Sequence, residues 1–223
     1  MALVLYTILG LISAFSVIIP GVVLLGLIRG IKVPSLRNMT ILLSGFAILH
    51  GFYHLSYLTP YSYYAPFIDL ATALILVTLG MYYTNRLMAF SLFLIALPEP
   101  DDMTYYLIPI ALIIAFILFA RLAIISKSLR TLQAQLSIFI LIWVAAELLR
   151  SLLLLNVISA SASLQLLGLE VHTAAMVAFG VFMLSRYYKA ATNMSNETPE
   201  WLAKEIMNQP KKTIKGKEEG SAD

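Results

Sequence analysis

The segment HGFYHLSYL, residues 50–58, sets two histidines four positions apart in an otherwise apolar run. On a helix that spacing stacks His50 and His54 on one face. Two imidazoles so placed can ligate a metal ion, carry protons near neutral pH, or hydrogen-bond a polar ligand. The chain holds only three histidines, and His172 lies in another apolar run. Asp69, Glu147, Arg150 and Glu170 interrupt such runs as well. Glu147 and Arg150 are three residues apart and can pair along one helix. Tyr53 and Trp143 share these stretches and are expected to line the walls of any site the ionisable groups form.

The elements that must position these residues are membrane helices. Of 223 residues, 60% are hydrophobic and 12% charged, and the mean hydropathy is +0.87. A water-soluble domain could not cover that much apolar surface, so lipid is the solvent for most of the chain. Runs long enough to cross a hydrocarbon core of ~30 Å lie at residues 3–28, 39–58, 66–83, 104–126, 132–155 and 164–188. A shorter run, LMAFSLFLIALP at 87–98, is ambiguous by length. Charge decides it. If 87–98 crosses, the connections carrying Arg29, Lys32, Arg37, Arg86, Lys127, Arg130, Arg186 and Lys189 all fall on one side. The acidic PEPDD and the uncharged TPYSYYAP and NVISASAS fall on the other. The positive-inside rule then predicts an all-α, polytopic bundle of seven transmembrane helices in the cell membrane, N-terminus outside and C-terminus cytoplasmic.

Residues 1–190 form the transmembrane domain in this reading, and 191–223 a cytoplasmic tail. TPEWLAKEIM in the tail has a helix start, with Thr198 as N-cap and Pro199 in the first turn. The remainder is expected to be disordered. An internal repeat is also expected. SLRNMTILLSGFAILHGF from Ser35 and SLRTLQAQLSIFILIWVA from Ser128 share their opening and a later Ser and Phe, and they set His54 opposite Glu147. Asp69 and Glu170 are each followed three residues on by a threonine. Two three-helix units, 1–85 and 104–190, joined by a linker helix at 87–98, would explain both rhymes.

At a rise of ~1.5 Å per residue, His50, His54, Asp69, Glu147, Arg150, Glu170 and His172 all fall in the outer half of the bilayer. Ionisable groups at such depth are costly and usually face a bundle interior, paired with one another. An outward-facing polar pocket among the second, third, sixth and seventh spans is therefore expected. The leading reading is binding, sensing or transport of a small polar solute or of protons through those seven residues. The alternative is a metal-dependent intramembrane enzyme. His50, His54 and His172 would hold zinc with a carboxylate such as Glu170 as base, or His50 and His172 would ligate a haem in a redox protein. A third reading is a non-catalytic subunit of a membrane complex, or a homo-oligomer.

Two family resemblances are local. Three histidines and an aspartate in seven spans are loosely similar to the membrane ceramidase and adiponectin-receptor group, whose histidine pair lies in the last helix; here only His172 does. FGVFMLSR at 179–186, with Trp143 and an early Asp69 in the third span, resembles microbial rhodopsins. That resemblance implies a similar helix arrangement without the pigment, because Met176 stands where the retinal lysine would be. No span holds a lysine, so a retinal Schiff base is excluded. The absence of cysteine excludes disulfides and thiolate metal sites. No phosphate-binding loop, nucleophile elbow or dinucleotide fingerprint occurs, and the basic residues mark membrane orientation rather than nucleic-acid binding.

Overall fold

Helix starts are set by local chemistry. Pro34 opens one helix and Pro66 lies in the first turn of the next, where a missing N–H costs nothing and the fixed φ suits a helix. The side chains of Thr131 and Ser161 accept from the backbone N–H of Ala134 and Leu164 at 3.2 and 3.3 Å, capping two more. The resulting helices are α1 (Ala2–Leu27), α2 (Pro34–Ser56), α3 (Ala65–Tyr83), α4 (Met103–Ile125), α5 (Leu132–Leu154) and α6 (Ala162–Phe182). After α6 the chain passes through a π-helical turn, Met183–Tyr187, into a last α-helical stretch, Tyr188–Asn193. This computed structural model describes residues 2–84, 103–126, 128–155 and 161–193. Among them there are helices and no strands, and six helices are long and apolar enough to cross a membrane. The short run at 87–98 and the tail helix expected from Thr198 lie outside the described residues.

Specific contacts give each helix its direction. A Cβ at Gly21 would meet Ile48 at 2.8 Å and Ala47 at 3.2 Å, and one at Gly51 would meet Ile18 and Ala14, so α1 and α2 are antiparallel. Ser13 Oγ donates to Thr173 Oγ1 at 3.0 Å and Gly180 abuts the Ser16 backbone, so α1 and α6 run parallel. Arg150 lies 5.0 Å from the Tyr53 ring, which puts the last turns of α2 and α5 side by side. Leu153 touches Gly168 while Phe139 stacks on Phe182 at 4.7 Å, so α5 and α6 are antiparallel. Along α3 and α4 the early residues Pro66, Asp69 and Ile108 wall one small void, and Gly80 packs on Leu118. These two consecutive helices are therefore parallel.

Arg29, Lys32, Arg37, Arg121, Arg130, Arg186 and Lys189 consequently gather towards one end of the bundle. Arg186 Nε donates to Gln135 Oε1 at 2.9 Å across that end. Tyr57, Tyr61, Tyr63 and Tyr64 are exposed at the other. The outer surface between the ends is greasy, with Val4, Phe15, Ile117 and Val181 all exposed. The interior is closed by Leu24, Leu43, Phe46, Phe119, Trp143 and Phe179, which is the arrangement expected where lipid replaces water outside.

Candidate functional site

Four helices deliver polar side chains to one level near the tyrosine end. From α2 come His50 and His54, buried at 0% and 4% exposure, with Tyr53 on the same face. Asp69 comes from the second turn of α3, Trp143, Glu147 and Arg150 from α5, and His172 from α6. The helical periods expected from the sequence hold: His50 and His54 (i, i+4) and Glu147 and Arg150 (i, i+3) each point the same way.

The three imidazoles are mutually in contact. Ring centroids lie 4.9 Å apart for His50 and His54, 5.0 Å for His54 and His172, and 5.5 Å for His50 and His172. One ligand nitrogen from each lies within 4.8 Å of the others. Carboxylates flank two of them. His172 Nε2 stands 2.5 Å from Glu147 Oε2 and His50 Nδ1 4.0 Å from Asp69 Oδ1. The first is a close contact, and the second is beyond hydrogen-bonding distance. The other Glu147 oxygen accepts from Arg150 Nη1 at 3.1 Å, and the guanidinium lies over the rings of Tyr53 and Tyr57 at 5.0 and 6.0 Å. Trp143 meets His50 edge-on at 4.7 Å and holds that ring from below. Thr72 Oγ1 donates to the Asp69 backbone carbonyl at 2.6 Å and sits 3.4 Å from its carboxylate.

Hydrogen bonding in this cluster is incomplete. Both nitrogens of His50, Nδ1 of His172, Nε2 of His54 and Nε1 of Trp143 are buried without a hydrogen-bond partner among the described residues. Each such group costs about 1–3 kcal/mol when left unpaired, which is rarely tolerated in one place without a function.

A cavity of about 510 Å³ adjoins the cluster, walled by Tyr6, Thr7 and Gly10 of α1, His54 of α2, Arg150 of α5 and Gln165 of α6, with leucines completing it. Its volume falls in the range usual for small-molecule sites. Here α1 replaces α3 as the fourth wall, a feature the sequence did not signal because the first turns of α1 carry no ionisable residue. Tyr57 also lines this cavity, with Arg150 over its ring.

Of the seven ionisable residues expected together, six meet and one does not. Glu170 is exposed on the outer face of α6. The reason is geometric: at 3.6 residues per turn, residues two apart point roughly 200° apart, so an inward His172 sends Glu170 outward. It cannot act as a base for an ion held by the histidines. The haem pair also fails, since His54 touches both His50 and His172 and the close ring spacing leaves no slot for a macrocycle between them.

Comparison with protein-family models, characterised proteins and solved structures finds no match to this chain. The resemblances of single segments therefore carry no fold assignment, and the functional reading rests on the geometry of the site.

Proposed function

We propose that this chain is a seven-crossing protein of the cell membrane that binds a small polar solute in the cavity between α1, α2, α5 and α6, at the outer face. Support for a seventh crossing comes from the parallel α3 and α4. The chain leaves α3 at the basic end and enters α4 at the tyrosine end, with residues 85–102 between, as a further crossing requires. The basic end is cytoplasmic by the positive-inside rule, so α1 starts outside. The directions of α1–α3 recur in α4–α6, which supports the three-helix repeat. Reporters fused ahead of α1 and after Asn193 should fall on opposite sides of the membrane; both on one side would remove the seventh crossing.

The observation that carries the binding role is that the cavity exposes Arg150 and His54, the two members of the buried cluster on its wall. Arg150 gives Glu147 a hydrogen bond and, with five donors, retains others for a ligand. Leu58, Leu153 and Leu169 offer an apolar wall beside it. A short carboxylate suits both features. The test is thermal unfolding of the full chain in detergent with hexanoate, with hexanol as the uncharged control. Hexanoate should stabilise by about 2.7 kcal/mol at 100 times Kd, and hexanol should not. A Cβ at Gly10 meets nothing within 4 Å, so Gly10→Leu should fill the cavity, keep the fold and abolish the effect. Equal shifts with both compounds, or none with either, would refute the reading. Hexanoate uptake by reconstituted vesicles then separates a transporter from a sensor.

A further inference from the structure

We propose that His50, His54 and His172 form a binding site for one divalent transition-metal ion, with zinc the best match. The inference goes beyond solute binding in the cavity and stands without it.

The first argument is convergence. The chain has three histidines in 223 residues, from two helices more than a hundred positions apart in sequence. All three place a ring nitrogen within 4.8 Å of the other two. A tetrahedral zinc site with Zn–N bonds of about 2.1 Å holds its nitrogens about 3.4 Å apart. The observed separations exceed that by at most about 1.4 Å (4.8 against 3.4 Å), so each nitrogen has to move inward by about 1 Å or less.

The second argument is the unpaired nitrogens. Four imidazole nitrogens, both of His50, Nε2 of His54 and Nδ1 of His172, are buried without a hydrogen-bond partner among the described residues, and the residues bearing them are at most 4% exposed. A bound ion takes one lone pair from each ring and satisfies all three histidines at once.

The third argument is the surroundings. Metal-bound histidines commonly present their other ring nitrogen to a carboxylate, which fixes the tautomer and raises ligand basicity. Asp69 stands at Nδ1 of His50 and Glu147 at Nε2 of His172, leaving the opposite nitrogen of each ring for the ion. Imidazole ligands without thiolate suit zinc and its neighbours in the first row. Three imidazoles leave the fourth tetrahedral position to a water molecule.

The experiment uses the full chain, purified in detergent on a tag without histidines, stripped with chelator, exposed to zinc and desalted. Elemental analysis should find one zinc per chain. His50→Gln and His172→Gln should each weaken uptake by more than about tenfold, and Gly10→Leu should leave it intact even where it abolishes the hexanoate effect. Cobalt substitution gives a second readout: an intense visible spectrum is expected from a tetrahedral site with three imidazoles. If a histidine variant fails to fold, the wild-type cobalt spectrum decides alone, since a pale octahedral spectrum indicates an ion held elsewhere by water and carboxylates. Stripped wild type that takes up neither metal, or folded histidine variants with wild-type uptake, would overturn the proposal.

Discussion

Replacing Arg150 by Met tests whether the cluster is electrostatically closed. Arg150 Nη1 lies 3.1 Å from Glu147 Oε1, and the glutamate side chain is 1% exposed against 14% for the arginine. At an effective dielectric of about 20 that separation corresponds to a gross attraction of about 5 kcal/mol, much of which offsets the cost of taking both charges out of water. Arg150→Met strands the buried carboxylate and also removes the guanidinium from the rings of Tyr53 and Tyr57. Loss of one partner of a buried pair costs about 3–5 kcal/mol, and the lost stacking adds about 0.5–1 kcal/mol. Glu147→Gln combined with Arg150→Met removes both charges, and the double variant should recover about 2–3 kcal/mol of the single variant's loss. The assay is reversible unfolding in mixed micelles with chelator present, so that a bound ion does not contribute. An Arg150→Met variant within about 1 kcal/mol of wild type would refute the reasoning, because it would mean that Glu147 is not held as a charged group by Arg150.

Three further outcomes are expected. Gly180→Ala should destabilise strongly, since the added methyl would overlap the backbone carbonyl of Ser16, whereas Gly45→Ala, with open space around it, should cost nothing or add up to about 1 kcal/mol of stability in the same unfolding assay. Ser13→Ala should cost only about 0.6 kcal/mol, the usual worth of a hydrogen bond between membrane helices, despite being a buried link between α1 and α6. Asp69→Asn should leave the fold intact and weaken zinc retention by roughly 10–100-fold, measured by competition with a chromogenic chelator.

Much of this architecture was legible in the sequence, and the reasons differ by element. All six described membrane helices match expected apolar runs, because a hydrocarbon core demands unbroken runs of a fixed length. The level of the polar cluster was legible from counting residues inward from the connections that carry no basic residue. The facing of Glu170 could have been read as well. The match between DLAT and EVHT suggested equivalent faces, yet Glu170 and His172 are two residues apart and cannot both point at one centre. The cavity was not legible, because Tyr6, Thr7 and Gly10 look like ordinary residues of a lipid-facing helix until α1 is packed against α6. The direction of α4 depends on packing too, and Gly80 against Leu118 and Ile108 beside Asp69 show it.

Those directions explain why one polar cluster can form at all. A meander of strictly alternating helices would place the last turns of α2 and α5 at opposite ends of the bundle. Because α4 restarts parallel to α3, α5 runs parallel to α2 and brings Glu147 and Arg150 to the level of His50 and His54. The same shift makes α6 parallel to α1, so that His172 enters that level from its own third turn while Ser13 meets Thr173 just below. A site assembled from residues 50, 54, 69, 147, 150 and 172 is therefore a direct consequence of the parallel step between α3 and α4. Any variant that reversed α4 would take Glu147 and Arg150 away from His50 and His54, leaving two histidines and an aspartate that could not close a three-imidazole site.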